Sequence, residues 1–209
     1  MLMTSRFEGW PANAYAVLLR LDGVPTQQTM AQVRSERERD VRQPMIALLD
    51  DLAGIDPYYE NFSVWRYATT PYWWQNQCAT VRVAQNVEIN LGFNLDGLRV
   101  QASWSYAPPE QIARFRAAVA HIDTGRQLDQ LLGGLYAGGH AVDGERLARV
   151  PRGYPNDHSR ADLLRHRSLK VGRTLDTEDR LHTSEPVLLI CEQLRALLTW
   201  LADNVSRAP

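Results

Sequence analysis

Lysine occurs once in these 209 residues, at Lys170, and cysteine only twice, at Cys78 and Cys191. All other basic side chains are arginine, as a GC-rich coding sequence produces; the two cations are interchangeable on an open surface but not at a bidentate site. The cysteines stand far apart in apolar segments, with no CxxC and no Cys/His ligand spacing. That argues against a structural zinc site, and the expectation is a chain with no metal and no cofactor. Free thiols fit a reducing compartment. No apolar run approaches the ~18 residues needed to span a bilayer. The opening "MLMTSRFEGWPANAY" lacks the basic start, continuous apolar core and small-residue cleavage site of a signal peptide. A cytoplasmic protein with no membrane partner is therefore expected. An excess of one charge is lacking too: 23 basic against 24 acidic residues leave a formal net charge of −1. Nucleic acid is not an expected partner, because affinity for it comes mainly from neutralising phosphates.

Catalytic signatures are also missing. There is no GxSxG elbow, no GxxxxGK[ST] loop and no HExxH pair. The glycine-rich "GGLYAGGH" follows no strand and has no dinucleotide-type spacing, so it reads as a helix stop and turn. His166 and His182 are expected at the surface.

What is present is the patterning of one soluble α+β domain over residues 1–209. Pro11 suits the first turn of a helix through "ANAYAVLLRLD", with Tyr15, Leu18 and Leu19 on one face. A second helical stretch runs from about Thr26 to Leu52, with a charged middle, "RSERERDVR", that needs a solvated side. Pro44 is expected to break or kink it near Gln43. From Tyr58 the period changes to two, and "NFSVWRYAT", "CATVRVA", "VEINLGFNL" and "LRVQASWSY" read as strands. "NLDG" signals a tight hairpin between the last two. The result is an antiparallel meander of about four or more strands, packed on one face by helices. Pro108 and Pro109 open another helix, and Thr124 with Gln127 suits a capping box for the next. Ser159 with Asp162 suits a further one, "RSLKV" returns to extended structure, and a long C-terminal helix buries Leu188, Cys191, Leu194, Leu198 and Leu201 with Trp200 beside them.

The order of these segments resembles the bacterial and fungal family called domain of unknown function (DUF) 2461. The likeness includes "FEGWPANAYAVLLRL", "RERDVRQPMIALLDDL" and "INLGFNLDGLRVQASWSYAPPEQIARFRAAV", and it is most specific in "PRGYPNDHSRADLLRHRSL". It implies a single α+β domain and no established reaction. In "WRYATTPYWWQNQ", Arg66, Tyr67, Thr70, Pro71 and Tyr72 match the family's run. The resemblance implies that an Asp-Lys pair is deleted here and that Trp73 stands in place of a second lysine. A pair Trp73-Trp74 suits a stacking ligand or a partner protein.

The segment "PRGYPNDH" has two readings. Pro151 and Pro155 stiffen it and Gly153 supplies a positive φ. Arg152 is then an anion clamp, with Tyr154 beside it, and Asp157 orients His158 for acid/base work. Alternatively Arg152 pairs with a carboxylate while Asp157, His158 and Ser159 cap the next helix. The polar sheet face, with Glu88, Asn90, Arg99, Gln101 and Ser103, either faces water or is roofed into a pocket.

Two functions follow. The first is a binding or protein-interaction module using Arg66, Tyr72, Trp73, Trp74, Arg152 and Tyr154, whose partner is a small anionic or aromatic ligand, a protein, or a second copy in a homodimer. The second is a metal-independent enzyme using His158, Asp157 and Arg152.

Overall fold

Pro11 stands at the entrance of the first helix, α1 (Ala12–Arg20), with an extended backbone at φ −66° and ψ 156°. The computed structural model describes residues 6–66, 70–176 and 182–206. The buried stripe of α1 is Ala14, Val17 and Leu18, continued by Leu21. That is the i, i+3, i+4, i+7 column of a helix. Leu19 falls outside it and is 66% exposed, contrary to the face expected from sequence.

Thr26 caps α2 (Gln27–Arg37), its hydroxyl accepting the Thr29 amide at 3.1 Å. The expected break at Pro44 takes another form. A π-helical turn, Glu38–Arg42, leads directly into α3 (Gln43–Ile55). Pro44 has no N–H to offer and its ring crowds the preceding turn. The wider turn, in which the Gln43 amide reaches back to the Glu38 carbonyl, absorbs an extra residue and lets the helix continue.

A 3-10 turn at Pro57–Tyr59 leads to β1 (Phe62–Val64). A short helix, α4 (Pro71–Gln75), then stands between the first two segments read as strands. The meander is β2 (Gln77–Ala84), β3 (Val87–Asn94) and β4 (Gly97–Trp104). Val87, Ile89, Leu91 and Phe93 are buried, alternating with half-buried Glu88, Asn90, Gly92 and Asn94. In the hairpin turn the Asp96 amide donates to Asn94 Oδ1 at 2.9 Å, and Gly97 has φ +115°. A Cβ at Gly97 would collide with the Leu175 carbonyl. Helices α5 (Pro109–Ala120) and α6 (Ile122–Ala137) follow, then β5 (Ala141–Asp143), α7 (Ala161–Leu164), β6 (Leu169–Leu175) and α8 (Glu185–Asn204). The fold is α+β, with a six-stranded antiparallel sheet in the order β1-β2-β3-β4-β6-β5.

Two compact units divide the chain: Met1–Val81 with Asn90–Val100 and Thr174–Leu189, and Arg82–Ile89 with Gln101–Arg173 and Ile190–Pro209. In the first, Trp10 stacks on Phe93 with centroids 4.1 Å apart and its indole N–H reaches the Val41 carbonyl at 3.0 Å. In the second, Trp104 stacks on Phe115 at 4.6 Å, and Trp200 meets Phe115 edge-on while donating to the Thr124 carbonyl. In α8, Cys191, Leu194, Leu198 and Leu201 are buried as expected; Leu188 is only half-buried, and Val187, Ile190 and Leu197 widen the stripe.

Neither expected capping box forms. Thr124 lies inside α6, and its hydroxyl donates to the Ala118 carbonyl at 2.6 Å, satisfying the end of the preceding helix instead. His166 is not at the surface: it is 2% exposed, with Nδ1 2.8 Å from the Ser168 carbonyl oxygen. His182 is exposed. Among the described residues no helix is long and apolar enough to cross a membrane.

Candidate functional site

The charged run "RSERERDVR" hides one side chain. Val33, Arg37 and Val41 recur every four residues, so Arg37 falls in the apolar column and is fully buried. Its guanidinium is fitted to the C-terminal end of α4. Nε donates to the Trp74 carbonyl at 2.8 Å, and Nη2 to those of Trp73 at 2.8 Å and Asn76 at 3.2 Å. A cation is favourable where helix carbonyls lack partners. Nη1 donates to Gln77 Oε1 at 3.1 Å, and the Gln77 amide donates to the Trp65 carbonyl at 2.8 Å. The Trp65 amide in turn bonds the Cys78 carbonyl at 2.9 Å. One buried arginine thus fixes both α4 and the residue that extends β1.

The tryptophans divide accordingly. Trp74 is 4% exposed, with the guanidinium carbons of Arg34 and Arg37 5.7 Å and 6.0 Å from its ring centroid. It is a core residue, whereas Trp73 is half-buried, so the two do not share one surface. The pair that forms is Trp65 on Trp73, stacked at 5.0 Å and 22°. Tyr72 meets Trp73 edge-on at 5.1 Å. Trp65 is 44% and Tyr72 56% exposed, and Arg66 beside them is exposed. Tyr67, also in the matched run, lies outside the described residues.

Charges around this face are ordered. Against the cost of burial, hydrogen bonds from Arg42 and Gln43, with the charges of Arg42 and Arg66, hold the Glu38 carboxyl below its ordinary pKa. Burial pushes the Cys78 thiol up, outweighing a Tyr72 hydrogen bond and the Arg37 charge. Cys78 is therefore not an activated thiolate. On the polar side of the sheet, Thr80 donates to Asn90 at 2.8 Å and Asn94 to Asn76 at 3.2 Å. Burial raises the pKa of Glu88 against the opposing charge of Arg82.

Arg152, Tyr154, Asp157 and His158 belong to the second unit. Gly153 has φ +93°, as the two prolines predict. Arg152 and Asp157 are exposed and His158 is half-buried. Among the described residues Arg152 makes no ion pair and Asp157 no hydrogen bond to His158. His158 Nδ1 accepts the Arg160 amide at 3.0 Å, so the histidine, not Ser159, holds the entrance to α7. Arg160 fastens the loop to the end of α5 through the Val119 carbonyl at 2.6 Å and the His121 carbonyl at 3.2 Å. No group of three or more His, Cys, Asp or Glu among the described residues is placed to hold a metal ion.

Sequence reasoning missed Arg37 and Trp65. The spacing of Val33 and Val41 was the available signal for the first; nothing in a three-residue strand marks the second. The sequence profile of the family described as "Conserved hypothetical protein (DUF2461)" matches residues 56–201, which covers β1 through most of α8 and both candidate segments. The N-terminal segments that also suggested the resemblance lie before that span. No curated protein and no solved structure matches the chain. With well over half of its 209 residues matched, the chain belongs to the DUF2461 family.

Proposed function

We propose that this protein is an interaction module whose contact surface is the aromatic face of Trp65, Trp73 and Tyr72, edged by Arg66. The observation that carries this reading is the Trp65–Trp73 stack, partly exposed yet held by backbone bonds that run to one buried arginine. Exposed tryptophan, tyrosine and arginine side by side form the composition of a binding hot spot. A rigid support removes the entropy cost that a flexible surface would have to meet on binding. The rings offer apolar faces and Arg66, with exposed Arg34 one helix away, offers positive charge, so the fitting partner is an acidic protein segment bearing an aromatic or proline residue. The enzyme reading has less in its favour, because His158 Nδ1 is occupied by a backbone amide and Asp157 does not orient the ring.

Selection of displayed random peptides on the purified protein tests the proposal. Acidic sequences containing aromatic or proline residues should be enriched, and Trp65→Ala or Trp73→Ala should weaken them at least tenfold. Failure to enrich any peptide, or enriched peptides that bind both variants equally well, would overturn it.

A further inference from the structure

The second unit holds a cleft of about 520 Å³ that neither reading of the sequence reached. That volume is in the range of small-molecule sites. It lies where β4 and β5 end and β6 begins, and its lining includes Lys170, the chain's single lysine.

Both walls are fixed. On one, Gly144 approaches the 166–168 segment so closely that a Cβ would collide with the Ser168 carbonyl. The Glu145 amide donates to Ser168 Oγ at 2.8 Å, and the Glu145 carbonyl accepts the Arg167 amide at 2.8 Å. On the other, Asn86 donates to the Tyr106 carbonyl at 2.6 Å and holds that residue at φ +54°. A bulky side chain rarely adopts such a backbone, and strain of this kind gathers at functional sites. Here it leaves the Tyr106 ring 96% exposed at the rim, with no ring contact among the described residues.

Some hydrogen-bonding groups of the lining are engaged and others are not. Asp143 takes the Gly144 amide at 2.7 Å, and Glu145 pairs with Arg167 at 2.7 Å. Lys170 faces Asp143 across the β5–β6 ladder yet makes no ion pair among the described residues. Ser168 Oγ accepts the Glu145 amide and Ser105 Oγ accepts the Ser103 hydroxyl, so each keeps its own hydroxyl proton to donate. Three donor groups with no acceptor among the described residues therefore line one cleft, and an acceptor-rich anion supplies what they lack.

We propose that this cleft binds a small organic anion, its carboxylate or phosphate held by Lys170, Ser105 and Ser168 and its body covered by the Tyr106 ring. Its residues belong to the second unit and those of the aromatic face to the first. A phosphoester and a carboxylate share the required chemistry, and the two probes below distinguish them.

A single lysine makes the test direct. Reductive ¹³C-methylation of the native protein labels one side-chain amine and preserves its charge, and the α-amino group is separable by its lower pKa. Titration with phenyl phosphate and with benzoate should move the Lys170 signal to saturation, with a dissociation constant of about 1 mM or tighter for at least one of them. Benzyl alcohol, which lacks the charge, should leave it in place. Tyr106→Ala should weaken the aromatic anion but not inorganic phosphate, and Ser168→Ala should weaken both roughly tenfold. A Lys170 signal that moves with neither anion, or only as far and as linearly as that of dimethylated Nα-acetyl-lysine, would overturn the proposal. No substitution is needed for that result, so a variant that fails to fold does not shield it.

Discussion

His140 and His166 are each 2% exposed, and burial holds both below the ordinary histidine pKa against hydrogen bonds to the Leu135 and Ser168 carbonyls. With folded values below about 6.5, the unfolded chain takes up protons first as the solution is acidified. Their contribution to stability is therefore complete above about pH 6.5 and declines below it, by at most about 1.4 kcal/mol per pH unit for each ring. Urea melts between pH 5 and pH 8 should show this slope, and His166→Asn should flatten it. At Gly153, φ is +93° and nothing lies within 4 Å of an added Cβ, so Gly153→Ala should cost about 1 kcal/mol through backbone conformation alone. Two flanking prolines made that glycine readable. The entrance to α7 was readable only as a set of candidates, because Asp157, His158 and Ser159 are neighbouring side chains, and only their geometry shows that the imidazole takes the Arg160 amide.

At the scale of elements, α4 is the part most dependent on one distant side chain. Five residues are too few to hold a helix by propensity, and its carbonyls are satisfied by Arg37 from α2. Arg37→Ala would strand several buried acceptors at once and should lower stability by about 3 kcal/mol or more, with loss of the near-UV signal from the Trp65–Trp73 stack. Arg37→Lys should recover little, since an ammonium cannot reach four acceptors in a planar fork. The strands of the meander were legible because alternation over eight residues is unambiguous, as Val87 to Asn94 shows. Helix α4 was not, since a five-residue element has no period to read and "TTPY" looks like a turn. The π-helical turn before Pro44 was legible only as a disturbance. Proline announces that the ladder must change, but not whether the chain bends or widens.

For the whole molecule, α+β class and a long terminal helix could be read from patterning, whereas the aromatic face was located only in part, through Arg66, Tyr72 and Trp73, and the cleft not at all. Sequence left open whether Trp73 and Trp74 are surface or core; adjacent residues on a helix point in different directions, and the fold buries Trp74 while it pairs Trp73 with Trp65. Lys170 was visible as a lone lysine, yet only the β5–β6 register set it in a cleft. The central claim is that the Trp65–Trp73 face is a contact surface and Trp74 its foundation. Its most direct test measures, for one selected acidic peptide, both affinity and denaturation midpoint in Trp65→Ala, Trp73→Ala and Trp74→Ala. The expected result is affinity lost at least tenfold in the first two with stability changed by no more than about 1 kcal/mol, and about 3–5 kcal/mol of stability lost in the third. Equal stability losses in all three, or full affinity in Trp65→Ala and Trp73→Ala, would contradict it.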